Sequence, residues 1–236
     1  MVTFRTRLIR TLLLLLLSFQ LHAFDIQPRI IGGEDADPGE WPATAALLSA
    51  SIYNNSLALG EGEAQFRAQY CGGSIVATKW ILTAAHCLYD DDDNRLAASD
   101  VLVLGGVTDL SDPGQIREVS RIYIHPDYSQ ISQDSDIAML ELASEVVPPT
   151  ASIPLYGGDP AAGSDATVVG WGILENGTRN FPYILQEVVL QVVSESDCNA
   201  AYGGTLTDNM LCAAAPDKDS CGGDSGGPLM ALQDGE

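Results

Sequence analysis

The sequence predicts an all-β fold, and three features of it favour that class. Short runs rich in β-branched and aromatic residues recur along the chain, turn residues separate them, and no long amphipathic helix interrupts them. The 236 residues include 23 glycines and 12 prolines, a content that favours many turns. Because 46% of the residues are hydrophobic and 18% are charged, we expect a globular chain of one large or two small domains.

Seven runs are predicted as strands, because each is apolar or alternates apolar with polar residues. In chain order they are Tyr70–Val76, Val101–Leu104, Val119–Ile124, Ile137–Leu142, Ala166–Trp171, Leu185–Val193 and Gly227–Leu232. Ser194 is a candidate N-cap for one short helix near Cys198. The polar insertions Ser51–Gln65 and Tyr89–Arg95 are predicted as surface loops.

Residues 1–23 have the composition of a secretory signal peptide. Three arginines, Arg5, Arg7 and Arg10, precede the apolar run Leu12–Leu17, and Ala23 offers a small residue for cleavage. The alternative is a membrane anchor, but the run is much shorter than the ~20 residues that span a bilayer. We therefore expect a secreted, extracellular protein that has no membrane contact once this segment is removed.

The formal net charge of −21 comes from 32 acidic and 11 basic residues. So strong a negative field repels phosphates, which disfavours nucleic acid as a partner and favours cationic partners or substrates. Export places the five cysteines in an oxidising compartment, where disulfides persist. Two glycosylation sequons, at Asn54 and Asn176, suit the same route.

Three short motifs supply the groups that nucleophilic catalysis needs. His86 follows an apolar run, Asp136 precedes another, and Ser225 lies among glycines. A serine hydroxyl attacks a carbonyl only when an imidazole takes its proton, and a carboxylate must hold that imidazole in the right tautomer. Taken singly, each residue would be read as structural; together they predict a catalytic triad. The N–H groups of Gly223 and Ser225 are the expected oxyanion hole, since glycine lets the backbone approach closely.

The stretch Gly223–Gly227 also fits the G-x-S-x-G elbow of α/β-hydrolases, so an esterase or lipase is an alternative. That fold places the acid and the histidine after the serine, whereas no histidine follows Ser225 in this chain. The subtilisin order, with aspartate before histidine, is not met either. The order of His86, Asp136 and Ser225 therefore disfavours both classes.

Six motifs in this order resemble the chymotrypsin-like serine proteases (peptidase family S1), trypsin branch. They are IIGG at Ile30–Gly33, CGGSIV at Cys71–Val76, TAAHC at Thr83–Cys87, DIAML at Asp136–Leu140, VVGWG at Val168–Gly172 and GDSGGP at Gly223–Pro228. The resemblance implies two antiparallel six-stranded β-barrels with the triad in the cleft between them. It implies a protease domain over residues 30–236, with the second barrel incomplete in this chain.

The resemblance also implies a substrate class and a mode of activation. Asp219 matches the base of the primary specificity pocket, and a buried carboxylate there favours an arginine or lysine side chain. Residues 24–29 would be an activation propeptide cut after Arg29, and the freed amine of Ile30 would pair with Asp224. We thus expect a secreted zymogen that cleaves proteins and peptides after Arg or Lys. The alternative is an inactive secreted homologue or fragment that acts as a binding protein.

By the same resemblance, Cys71 pairs with Cys87 and Cys198 with Cys212, leaving Cys221 for a partner beyond residue 236. Completing the second barrel would take roughly 35–45 more residues at ordinary element lengths. The acidic run Asp90–Asp93 is predicted to be a solvated loop rather than a calcium site, because its consecutive carboxylates diverge. We expect no cofactor and no metal, a monomer, protein or peptide substrates, and protein protease inhibitors as further partners.

Overall fold

The computed structural model describes residues 33–175, 178–216 and 222–232 of the chain. Most of the regular structure in these ranges is strand. The strands are β1 Glu34–Asp35, β2 Thr44–Ser49, β3 Gln69–Ala77, β4 Trp80–Thr83, β5 Val101–Gly105, β6 Gln115–Ile124, β7 Ala138–Leu142, β8 Asp165–Gly170, β9 Gln186–Val193, β10 Cys212–Ala214 and β11 Leu229–Met230. The all-β prediction is confirmed.

Six antiparallel strands close into a barrel, in the order β2-β3-β4-β7-β6-β5. The alternation of the sequence fits this closure, since Ala138, Leu140 and Leu142 of β7 are buried while Met139 and Glu141 between them are partly exposed. The barrel interior is filled by small and branched apolar side chains, among them Ala45, Leu47, Ile75, Ile81, Val103, Val119, Leu140 and Leu142. Burial of this set drives the closure of the barrel.

A second, five-stranded sheet follows along the chain. Its order is β1-β9-β8-β11, and β10 pairs with residues 191–193 of β9. The predicted strand Leu185–Val193 corresponds to β9, in which Val188, Leu190 and Val192 are buried. An apolar cluster joins the barrel to this sheet through Ala46, Leu48, Leu104, Val169, Trp171 and Leu185. The two halves are therefore packed on each other through side chains of both.

The helices are short: α1 Ala50–Ser56, α2 Glu61–Ala68 and α3 Glu195–Ala201. Ser194 caps α3 as predicted, because its hydroxyl accepts a hydrogen bond from the N–H of Asp197 at 3.1 Å. The described part of the chain also has three 3-10 turns, at Leu57–Leu59, His86–Leu88 and Ala98–Asp100. No helix within the described ranges is long and apolar enough to cross a membrane.

The insertion predicted as the surface loop Ser51–Gln65 is helical instead, which corrects that prediction. It consists of α1, a 3-10 turn and most of α2. The side chain of Gln65 is fully buried, and its Nε2 donates to the carbonyls of Leu110 at 2.7 Å and Asp112 at 2.8 Å. Phe66 stacks on Tyr183 with ring centroids 4.0 Å apart. These tertiary contacts stabilise helices too short to be stable alone.

Candidate active site

His86 and Asp136 meet at the ends of two paired strands. The register of β4 and β7 places Thr83 opposite Ala138, so the turn after β4 and the residues before β7 emerge side by side. The Nδ1 atom of His86 lies 2.6 Å from Oδ2 of Asp136. The backbone N–H of His86 donates to Oδ1 of Asp136 at 2.8 Å. Two contacts to one carboxylate therefore fix the imidazole and the peptide that carries it.

The pair shifts the pKa of both groups. The hydrogen bond that His86 donates to Asp136 raises the pKa of His86 above its ordinary 6.5, although burial opposes the shift. Burial alone would raise the pKa of Asp136, but hydrogen bonds from the side chain and backbone of His86 outweigh it and lower that pKa below 3.8. The raised pKa of His86 stabilises the folded state below about pH 6.5, and this stabilisation is lost as the pH rises through the folded pKa. The lowered pKa of Asp136 stabilises the folded state above about pH 3.8, and this stabilisation is lost as the pH falls through the folded pKa.

Ser225 lies on a loop that packs directly on the strands leading to His86. Its carbonyl accepts from the N–H of Gly72 at 2.8 Å. The next residue, Gly226, has φ +78°, and a Cβ there would come within 2.8 Å of the carbonyl of Gly72 and 2.9 Å of the N–H nitrogen of Ala84. Only glycine permits so close an approach. The serine loop is thereby held against the segment that ends at His86.

Gly223 and Asp224 form the other side of this loop. Gly223 has φ +101°, a conformation that favours glycine. Within the described residues, neither the N–H of Gly223 nor that of Ser225 donates a hydrogen bond to the protein. The carboxylate of Asp224 is buried, with the residue 5% exposed, and accepts from the N–H of Gly172 at 2.7 Å. The loop can therefore offer two backbone donors next to a serine hydroxyl.

Among the described residues, each half of the fold contains one disulfide. Cys71 of β3 is bonded to Cys87, which lies beside His86, and Cys198 of α3 is bonded to Cys212 of β10. Cys71, His86 and Cys87 are close enough to suggest a metal site. A disulfide sulfur offers no thiolate to a metal, so this group does not fit one. The 3.5 Å approach of the Cys87 sulfur to the Ser225 carbonyl is likewise a packing contact, since that sulfur carries no proton.

The structure contains a group of hydrogen bonds near Asp136 that the sequence does not predict. Oδ1 of Asp134 accepts from Oγ1 of Thr207 at 2.6 Å and from Nδ2 of Asn209 at 3.1 Å. The same amide of Asn209 lies 3.4 Å from Oγ of Ser135. These bonds tie the segment leading to Asp136 to the second half of the chain. Thr207 and Asn209 are 70 or more residues away in sequence and belong to no motif, so no sequence pattern indicates them.

Several predicted residues lie outside the described part of the chain: Arg29, Ile30, Asp219, Cys221 and Asn176, with the segments 1–23 and 24–29. Asn54 is exposed on α1. His125, which has no motif context and is interpreted from the sequence as a surface or structural residue, is exposed, and its Nδ1 accepts from the N–H of Asp127 at 3.2 Å. All four residues of the acidic run Asp90–Asp93 are exposed, and the Asp90 carboxylate accepts from the N–H groups of Asp92 and Asn94.

Comparison with known proteins agrees with the geometry. A sequence model of the trypsin family, described as Trypsin, matches residues 30–235. Trypsin Blo t 3 of Blomia tropicalis is 34% identical over 223 residues, which cover 90% of this chain and 76% of the relative. The matched region contains the paired His86 and Asp136, the Ser225 loop and both disulfides. The chain therefore belongs to the trypsin family of chymotrypsin-like serine proteases.

Proposed function

We propose that this protein is a serine endopeptidase that works through an acyl-enzyme. Oγ of Ser225 attacks the scissile carbonyl, and Nε2 of His86 takes its proton and passes it to the leaving amine. Water then hydrolyses the ester by the same route. Asp136 keeps the Nδ1 proton of His86 and stabilises the imidazolium. The observation that carries the proposal is the two-point contact of Asp136 with His86 beside the glycine-rich serine loop.

The negative oxygen formed during the attack needs donors that are in place before the reaction. The N–H groups of Gly223 and Ser225 fit this role, because no acceptor within the described residues engages them. Preorganised donors of this kind supply one of the largest contributions to acyl transfer. We assign them as the oxyanion hole of this protein.

Cleavage after arginine or lysine is the proposed specificity, and Asp219 is its proposed determinant. The residue stands six positions before Ser225 in a stretch that matches the family motif. The name Trypsin carried by the 34% identical relative points the same way. A carboxylate at the base of an enclosed pocket gains a partner only when a cationic side chain enters.

Replacing Asp219 by asparagine is expected to lower kcat/KM for arginyl and lysyl amides by about 10²- to 10³-fold, because the substrate cation would be left without its counter-charge. Hydrolysis of a neutral ester substrate should change little. The matched control is Asp217→Asn, two residues away in the same acidic cluster. If both variants keep the wild-type preference, Asp219 is a solvated acid and the specificity assignment is wrong.

Activation is proposed to follow export, with residues 1–23 removed as a signal peptide and residues 24–29 as a propeptide. Cleavage after Arg29 would free the amine of Ile30 to pair with Asp224. The burial of the Asp224 carboxylate beside Gly172 supports a role inside the protein rather than at its surface. Because Arg29 suits the proposed specificity, the enzyme itself or another trypsin-like protease could make the cut.

A serine-directed fluorophosphonate probe tests the proposed function directly. The full chain is treated with a trypsin-like protease that is then removed, and labelling is mapped by peptide mass spectrometry. Covalent modification of Ser225 is expected after cleavage at Arg29, with little before it, and an Arg29→Gln chain should stay unlabelled. A folded, cleaved protein that resists the probe would favour the binding-protein alternative.

The pH profile should reflect the raised pKa of His86. The neutral imidazole is the form that accepts the serine proton, so kcat/KM should rise with pH through an acid limb whose midpoint lies above 6.5. The measurement is kcat/KM between pH 5 and pH 9 on an arginyl amide, with circular dichroism at each pH to show that the fold persists. A midpoint at or below 6.5 would show that the hydrogen bond to Asp136 does not outweigh the burial of the imidazole.

A further inference from the structure

One side chain of the barrel reaches the proposed oxyanion hole from outside the family motifs. Nε2 of Gln69, the first residue of β3, donates to the carbonyl of Gly223 at 2.9 Å. The two residues are 154 positions apart in the chain. Within the described ranges, the Gly223 carbonyl accepts no other hydrogen bond. The contact therefore joins the barrel to the loop that carries the nucleophile.

The loop is anchored at four successive carbonyls. Gly222 accepts from the N–H of Ile173 at 2.9 Å, Asp224 from Gly227 at 2.9 Å and Ser225 from Gly72 at 2.8 Å, while Gly223 accepts from Gln69. The donors to Gly222, Asp224 and Ser225 are backbone N–H groups, which a side-chain substitution does not remove. The donor to Gly223 is a side chain, and Gly223 has wide backbone freedom because it has no Cβ. Gly223 is thus the position at which a substitution can release the loop.

Gln69 is itself rigidly supported. Its backbone N–H donates to the carbonyl of Gln65 at the end of α2. Gln65 is fully buried and bonded to the carbonyls of Leu110 and Asp112. The amide of Gln69 also lies 3.5 Å from the Cys71 carbonyl. Strand β3 and helix α2 together therefore fix the backbone position of Gln69. Its side-chain amide donates to Gly223 from this fixed position.

We propose that Gln69 is a positioning residue for the oxyanion hole. This inference rests on the proposed function, since it concerns the Gly223 N–H assigned there. The Gly222 carbonyl is held by Ile173 and the Gly223 carbonyl by Gln69, so the peptides on both sides of Gly223 are fixed. Together they set its φ of +101° and the direction of its N–H. Gln69 does not touch the substrate. Its contribution appears only when negative charge develops on the substrate oxygen.

The test compares Gln69→Met, which keeps the length and removes the donor, with Gln69→Glu, which keeps the shape and cannot donate when ionised. On an arginyl amide, kcat is expected to fall by about 10- to 100-fold in both, with KM within about 3-fold of wild type. Affinity for an arginyl peptide aldehyde, whose hemiacetal oxygen occupies the oxyanion hole, should fall by the same factor as kcat. Binding of benzamidine, which has no such oxygen, should not change.

The matched control is Gln191→Met on the exposed side of β9, which should retain wild-type kcat and aldehyde affinity. Thermal unfolding of all variants separates positioning from loss of fold. Wild-type kcat in either Gln69 variant would overturn the inference, as would a lower kcat with unchanged aldehyde affinity. If the wild-type chain cleaved at Arg29 neither labels at Ser225 nor binds the aldehyde, the proposed function itself is wrong, and the inference is wrong with it.

Discussion

A Ser225→Ala protein is expected to lose about 10⁶-fold in kcat on an arginyl amide. The methyl group cannot form the acyl-enzyme, so hydrolysis would depend on direct attack by water. The proposed oxyanion hole would remain, because the carbonyl of Ser225 and the backbone around it are held by Gly72 and Gly227 rather than by the hydroxyl. KM should therefore change little, and some rate enhancement, about 10³-fold over water, should survive.

The measurement requires protein free of contaminating protease. The protein concentration is taken from absorbance, because a variant without the Ser225 hydroxyl cannot be titrated at its active site. Ser144→Ala, an identical change at an exposed position, is the control and should match wild type. Residual activity above about 1% of wild type that resists repurification would show that Ser225 is not the nucleophile. A circular dichroism spectrum equal to wild type would exclude misfolding as the cause of a loss.

An Asp136→Asn change is expected to reduce kcat by about 10⁴-fold at neutral pH. The amide can still occupy the space of the carboxylate, but its NH₂ group would donate to Nδ1 of His86. That bond would stabilise the tautomer with its proton on Nε2, which cannot accept from Ser225. Loss of the negative charge should also lower the pKa of His86 and move the acid limb of the pH profile downward.

Two further variants test whether the lower kcat of Asp136→Asn comes from the proton transfer. Asp127→Asn, at an exposed loop position, should have no effect on kcat. Adding Asp136→Asn to Ser225→Ala should cost little more than Ser225→Ala alone, because the two residues act in one proton transfer. Independent, multiplicative losses would mean that Asp136 supports the fold rather than the base.

The sequence could predict the central part of the candidate site because catalysis demands particular residue types in a particular chain order. His86, Asp136 and Ser225 were found in this way, and the structure brings the first two into contact. Strands with clear alternation, such as β7 and β9, were also predictable, because one face of each meets the core and the other does not.

The remaining elements depend on contacts that no local pattern encodes. Strand β2 was not predicted because nearly all of its residues are buried between two neighbours, which removes the alternation. Helices α1 and α2 have polar sequences, and tertiary bonds from Gln65 stabilise α2. The role proposed for Gln69 depends on a partner 154 residues away. No local sequence pattern predicts a side chain whose role depends on contact with backbone atoms far away in the sequence.

The contact of Gly72 with the serine loop has a mechanical consequence. A Cβ on Gly72 would stand 2.8 Å from Cα of Gly227, so the two halves of the protein meet there backbone against backbone. Side chains can change rotamer to absorb a small displacement, whereas packed main chains cannot. A displacement of one half relative to the other would therefore displace Ser225 relative to His86 by a similar distance. The alignment of the nucleophile with its base should therefore be sensitive to relative motion of the two halves.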